Sequence, residues 1–212
     1  MTAPQHHIPE PMMAAYVAGN LPQPFAVVVA THISMCDECR ARHETHLALG
    51  GAVLESLEDA PVSDAMRAGL FAMLDEPAPE EPAAPKPRGI YPAPLADMVP
   101  GDGPRWRSIG MGARQSILWR GKEGSLRLLY IPAGQAVPDH SHNGLELTLV
   151  LQGSFSDEGG RFGVGDVEVA DEAVEHTPLA GIDSPCICLA ATDAPLRFSG
   201  MIPRLLQPVF RI

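Results

Sequence analysis

The segment Gly134-Gln135-Ala136-Val137-Pro138-Asp139-His140-Ser141-His142-Asn143-Gly144-Leu145-Glu146-Leu147-Thr148-Leu149-Val150-Leu151-Gln152-Gly153 is bounded by glycines and concentrates metal donors. It reads G-x5-H-x-H-x3-E-x6-G, with His140, His142 and Glu146 at positions of the same parity. Side chains on a strand alternate between faces, so residues of one parity point the same way. Two imidazoles and a carboxylate can therefore face one interior, although Asn143-Gly144 interrupts the regularity. His176 follows Gly165-Asp166 on a later segment and can complete the set. Three histidines and one glutamate make a competent site for a divalent transition metal. The plainer alternative is that His140 and His142 sit on an exposed loop beside Pro138-Asp139. That Glu146 and both glycines fall into the same pattern favours the metal.

Outward from this segment the chain reads as strands and turns. Apolar runs at 115–119, 126–131, 145–152, 167–170 and 187–192 are separated by Gly121, Gly124, Gly134, Gly153, Gly159-Gly160 and Gly165-Asp166. Short strands at this spacing, with little helix, predict an all-β sandwich or barrel.

Upstream, Pro77, Pro79, Pro82, Pro85, Pro87, Pro92 and Pro94 lie among Ala, Glu and Lys. Repeated prolines remove backbone donors and favour extended chain, so residues 77–94 read as a linker. The chain is thereby divided into 1–76, 77–94 and 95–212.

Residues 1–76 read as helical. Met12, Met13, Tyr16 and Val17 share one helical face before Gly19. Pro22 and Pro24 suit the first turn of a second helix reaching His32. A third helix starts near Cys36, with Leu47, Leu54 and Leu57 as apolar positions and Gly50-Gly51 as a weak point. Ser63 is an N-cap for a fourth helix to Leu74, which carries Met66, Leu70, Phe71 and Leu74 on one face.

At the junction of the second and third helices stands His32-Ile33-Ser34-Met35-Cys36-Asp37-Glu38-Cys39, an H-x3-C-x2-C pattern. Two thiolates and an imidazole suit tetrahedral Zn²⁺, which takes four protein ligands in a structural site. His6 and His7 are the nearest candidates for the fourth ligand. His43 and His46 on the third helix are alternatives, and read equally as solvated residues. A small helical segment has a thin core, to which a structural zinc adds folding free energy. The other cysteine pair, Cys186-Ile187-Cys188, places two thiols on one face of a strand, where they serve as small hydrophobes or as an oxidation sensor.

With 45% hydrophobic and 19% charged residues the 212-residue chain is that of a folded protein. Its formal charge of −11 argues against direct nucleic-acid binding and suits a basic protein partner. No segment reads as a signal peptide or membrane span, so a cytoplasmic protein is expected.

Gly134 through Gly153 resembles the first cupin motif, and Gly165-Asp166 through His176 resembles a diverged second one. The second motif has Val164 where a proline is usual and lacks the downstream asparagine. The N-terminal H-x3-C-x2-C, with histidine near the chain start, resembles the zinc-binding anti-sigma domain. Together, in this order, they resemble the ChrR-type anti-sigma factors of bacteria over nearly the whole chain, including the closing 195–198 and 205–208 stretches. That resemblance implies two domains: a small all-α zinc-binding anti-sigma domain and an all-β cupin, a jelly-roll barrel. It selects His7 to join His32, Cys36 and Cys39 around one zinc, and His140, His142, Glu146 and His176 around a second. It implies inhibition of an extracytoplasmic-function sigma factor, as a heterodimer, with release when singlet oxygen or an organic peroxide appears. The alternative is a cupin enzyme, a dioxygenase or isomerase, which would need iron or manganese with an open coordination position.

Overall fold

The computed structural model of the chain describes residues 3–77, 84–138, 140–141, 144–172, 175–194 and 197–198, with 140–141, 175 and 197–198 as backbone alone. Pro79, Pro82, His142, Pro195, Leu196 and the 205–208 stretch lie outside the described residues, as does the side chain of His140.

Five helices come first: α1 Glu10–Val17, α2 Gln23–Met35, α3 Asp37–Glu55, α4 Asp64–Leu74 and the single turn α5 Ala93–Ala96. Prolines flank or open α1, α2 and α5, where a missing N–H costs nothing because the first turn has no intrahelical partner for it. Cys36 stands between α2 and α3 in an extended conformation, and its Sγ accepts from the Cys39 N–H. The weak point at Gly50-Gly51 does not interrupt the helix, and α3 runs through both glycines. Ser63 caps α4 as expected, its Oγ accepting from the Met66 N–H at 3.2 Å.

Twelve strands follow among the described residues: β1 Arg107–Gly110, β2 Ala113–Gly121, β3 Gly124–Ile131, β4 His140–Ser141, β5 Glu146–Gln152, β6 Ser154–Asp157, β7 Gly160–Gly163, β8 Val167–Ala170, β9 Glu175–His176, β10 Leu179–Ala180, β11 Cys186–Thr192 and β12 Arg197–Phe198. The five apolar runs expected as strands correspond to β2, β3, β5, β8 and β11. With β1 they form one antiparallel sheet ordered β1-β2-β3-β11-β5-β8. The short strands make two further sheets, β10-β6-β7 and β12-β4-β9. Gly153, the closing glycine of the motif, turns β5 into β6 at φ +73°, where a Cβ would come within 2.6 Å of the Pro185 carbonyl oxygen.

The large sheet is buried on both faces, and β5 and β11 are buried along almost their whole length, with Glu146 and Thr148 among the buried residues of β5. One face carries Leu126, Leu128, Leu147, Leu149, Leu151, Val167, Leu189 and Ala191. It packs in a single core with Phe25, Val28 and Val29 of α2, Met13 of α1, and Leu95 and Val99 around α5. The helical segment therefore does not rest on a thin core of its own, because the outer face of the barrel completes it. The other face looks into the barrel. At one end Ile131, Val150, Cys186 and Cys188 meet Phe155 and Phe162 of the β10-β6-β7 sheet. At the other end the lining is polar. Arg127 donates to Gln115 Oε1 (3.1 Å) and Ser125 Oγ (2.7 Å), and Thr148 Oγ1 donates to Glu146 Oε1 (3.0 Å).

The end of the expected linker is fixed to the fold. Arg88 pairs its backbone with Tyr91 and sends its guanidinium to the carbonyls of Ala96 (2.9 Å), Val99 and Pro100 (3.2 Å) around α5.

Candidate metal centre

The end of α2, the start of α3 and the chain segment before α1 converge on four donors. His7, His32, Cys36 and Cys39 offer ligand atoms that all lie within 4.8 Å of one another. His7 Nδ1 is 3.3 Å from Cys36 Sγ and 3.7 Å from Cys39 Sγ. A tetrahedral zinc with ordinary Zn–S and Zn–N bonds puts neighbouring ligand atoms about 3.3–3.8 Å apart. The two distances from His7 to the sulfurs match those edges, and the donor set is compatible with such an ion.

Histidine 32 supplies the sharpest test of that fit. It is fully buried, and its Nδ1 donates to the Gly165 carbonyl at 2.8 Å. Its Nε2 is buried with no hydrogen-bond partner among the described residues. A buried polar atom without a partner is costly, and a cation held among the thiols would remove that cost. Burial pushes the His32 imidazole down to about 4, so it is neutral near pH 7, as a ligand must be. Burial likewise pushes the Cys39 thiol up, a shift that a bound divalent ion reverses. Outside the ligand set, Glu38 Oε2 lies 3.3 Å from His7 Nε2 and Arg42 Nη1 lies 3.8 Å from Cys39 Sγ. Arg42 is itself held by Glu10, which also meets His46 Nε2 at 2.6 Å. His43 stacks obliquely on Tyr16. Neither His43 nor His46 joins the four donors.

The second constellation is placed in part. Antiparallel pairing sets the backbone of His140 directly opposite His176. Glu146 is buried at the start of β5. His176 Nδ1 meets Asp157 Oδ2 at 2.8 Å and Glu168 Oε1 at 3.1 Å. These two carboxylates had no motif to mark them, because they come from β6 and β8 and reach His176 only through the fold. Burial pushes Glu168 up to about 7. Burial would lower His176, but its hydrogen bonds and ion pairs with Glu168 and Asp157 outweigh that and raise it to about 9.

Cys186 and Cys188 lie side by side in the barrel core with their sulfurs 3.4 Å apart. Hydrogen bonding to Cys186 and burial raise the Cys188 thiol well above its ordinary range. A buried pair packed against phenylalanines behaves as two small hydrophobes.

The exposed surface is uneven. Leu49, Val53, Leu54, Leu57, Met66, Leu70, Phe71 and Leu74 along α3 and α4 are each more than half exposed. The apolar positions Leu47, Leu54 and Leu57 are thus exposed. Conversely Met13, on one helical face with Met12 and Tyr16, is wholly buried, and the other two are half-buried against it, so this face belongs to the core.

A helical segment with a four-donor thiolate and imidazole centre, packed on a cupin-like barrel, defines the class. The ChrR cupin-like domain matches residues 97–194. Over 214 aligned residues the chain is 52% identical to the anti-sigma-E factor ChrR of Cereibacter sphaeroides, covering 98% of this chain and 99% of that one. It is also similar to the anti-sigma ChrR in a crystal structure of the Rhodobacter sphaeroides SigE complex. There the TM-score is 0.78 at 50% identity, covering 89% of this chain and 99% of that one. The chain belongs to the ChrR family of anti-sigma factors.

Proposed function

We propose that the chain is a zinc-dependent anti-sigma factor that binds an extracytoplasmic-function sigma factor as a heterodimer in the cytoplasm. In this reading residues 1–76 hold the sigma factor and residues 95–212 receive the signal, singlet oxygen or an organic peroxide, that frees it. The observation that carries the reading is the apolar face of α3 and α4, which is continuous in sequence and uncovered in the free chain. A surface of this kind on a soluble chain marks a protein interface. Family membership supplies the kind of partner, and the net charge of −11 favours one that is basic.

His7, His32, Cys36 and Cys39 would hold a zinc that ties α2, α3 and the chain start together, and so fixes the direction in which α3 leaves the core. His140, His142, Glu146 and His176 are the residues proposed for a zinc in the barrel, with Asp157 and Glu168 orienting His176. A regulator needs no substrate-accessible metal, in contrast to the enzymatic alternative.

The test is capture of the cognate sigma factor by the purified chain and by a Leu70→Ser, Phe71→Ser variant. Both side chains are exposed, so the variant keeps the helical and β signatures of the parent by circular dichroism. We expect its affinity to fall by at least a hundredfold, about 3 kcal/mol, in line with loss of central apolar anchors. Undiminished capture would remove α4 from the interface.

A further inference from the structure

The four donors of the helical segment do not stand alone. Among the described residues, the hydrogen bonds that tie His32 and the chain before His7 to the barrel come from the turn between β7 and β8 and the first residue of β8. The Gly165 carbonyl accepts from His32 Nδ1 at 2.8 Å, which leaves Nε2 as the ligand atom. Asp166 Oδ1 accepts from the backbone N–H groups of Gln5 (2.5 Å) and His6 (2.9 Å), the two residues before His7. The Val167 N–H donates to the His6 carbonyl at 3.3 Å.

The turn is itself held rigidly. Asp166 Oδ2 accepts from the Gly163 N–H at 2.7 Å. Gly165 N–H donates to the Val150 carbonyl (2.9 Å) and Val150 N–H to the Asp166 carbonyl (3.1 Å), which clamps the turn to β5. Gly165 adopts φ +92°, and a Cβ there would come within 2.8 Å of Pro4 Cγ, so the approach requires glycine.

We propose that the β7–β8 turn of the barrel is the outer coordination shell of the helical zinc, with Gly165 and Asp166 as its positioning residues. Gly165 fixes the ring orientation of His32, and Asp166 places His7 by pinning the chain just before it. The inference rests on the reading of His7, His32, Cys36 and Cys39 as a zinc site. Outer-shell partners of this kind fix the tautomer and orientation of a ligating histidine. Here they belong to a different part of the fold from the ligands. Two residues beyond Asp166, on β8, Glu168 contacts His176. A cleft of about 470 Å³ is lined by His6, His7, Asp157, Glu168 and His176 together. A displacement of β8 in the barrel therefore reaches Asp166 through two peptide units, and passes from there by the bonds to Gln5 and His6 to the chain that carries His7, with no need for the helices to move first.

The experiment follows zinc transfer from the full-length, zinc-loaded chain to an excess of a chromogenic chelator. Parent, Asp166→Ala, Asp166→Asn and Gln5→Pro proteins are compared. A Cys39→Ser protein identifies the phase that belongs to the helical site. Asp166→Ala removes the acceptor of the Gln5 and His6 bonds and also that of the Gly163 bond within the turn. Asp166→Asn keeps Oδ1 for Gln5 and His6 and gives up only the Oδ2 acceptor of the Gly163 N–H. Gln5→Pro deletes one donor while leaving the turn untouched. We expect release in the Cys39-dependent phase to be about 10–100-fold faster for Asp166→Ala, severalfold faster for Gln5→Pro, and close to the parent for Asp166→Asn. Release from folded Asp166→Ala and Gln5→Pro proteins at the parent rate would overturn the inference while leaving the zinc site intact. Should Asp166→Ala fail to fold, Gln5→Pro decides the matter alone by the same criterion. A parent protein that shows no thiolate-to-metal charge-transfer band when loaded with Co²⁺ would overturn the zinc reading and this inference with it.

Discussion

Helices α2 and α4 are similar in length and both rich in apolar residues, yet they have opposite fates. α2 buries Phe25, Val28, Val29, Thr31 and His32. α4 buries none of its residues, although it is the more sharply amphipathic of the two. Amphipathic patterning tells which face of a helix will be covered and is silent about what covers it. For α2 the cover is the outer face of the barrel sheet, supplied by residues about a hundred or more positions away. For α4 the cover, in the function proposed above, comes from the partner. On that reading the two helices divide the labour: α2 joins the metal centre to the barrel, and α4 offers its apolar face to the sigma factor.

The comparison breaks most severely at the metal. A structural zinc contributes on the order of 10–16 kcal/mol in apparent binding free energy to small domains that depend on it. In Cys36→Ser or Cys39→Ser proteins we expect loss of one bound zinc per chain, measured by elemental analysis. Amide exchange should speed up across α1, the end of α2 and the start of α3. Sigma-factor capture should be lost as well. The part of α2 that lies on the sheet, around Val28 and Val29, should keep its protection, since Leu126, Leu147 and Leu189 hold it independently of the metal. Loss of protection along the whole of α2 would show instead that zinc, and not the shared core, holds the helix in place.

A matched pair of phenylalanines sharpens the same contrast. Phe25 is buried to within 2% and Phe71 is 58% exposed. Phe25→Ala is expected to lower the unfolding free energy by about 3–5 kcal/mol, the usual range for a buried phenylalanine. Phe71→Ala should stay within about 0.5 kcal/mol of the parent in the free chain, as exposed substitutions do. In the complex the order reverses for Phe71, which should weaken partner binding by about 2 kcal/mol if it is a central anchor. Chemical denaturation and a binding titration on the same preparations measure both. A destabilised free chain in Phe71→Ala would mean that α4 folds back on its own protein in solution.

Much of this was legible in the sequence for one physical reason: local chemistry was strong where it was read. The H-x3-C-x2-C pattern carried His32, Cys36 and Cys39 because a helix end and a thiolate knuckle place them together without long-range help. The choice of His7 over His6, His43 and His46 was open from spacing alone, since it depends on the path of the chain before α1. The long strands were legible from their apolar runs. The short ones, such as β4, β9 and β10, consist of two residues each, and pairing creates them where no pattern exists. Asp157 and Glu168 escaped for the same reason, because a residue two strands away becomes a neighbour only in the folded barrel. The exposure of Leu47, Leu54 and Leu57 was illegible in principle. A chain that folds alone and a chain that keeps a face for a partner share the same hydrophobic periodicity.

The smallest effect addresses how ready α4 is before its partner arrives. Ser63 caps the helix through the Met66 N–H, and removing such a cap costs about 1 kcal/mol of local helix stability. Because α4 buries none of its residues, that loss has little packing through which to reach the barrel, and the melting temperature of Ser63→Ala should match the parent. It should appear in the binding constant instead. A helix that is less populated in the free chain must be ordered at the moment of association, so affinity should fall by about fivefold. Ser63→Asp, whose carboxylate accepts the same bond and suits the positive end of the helix, should restore it. An unchanged affinity in Ser63→Ala would mean that the partner itself satisfies the first turn of α4, and the cap would then belong to the free state alone.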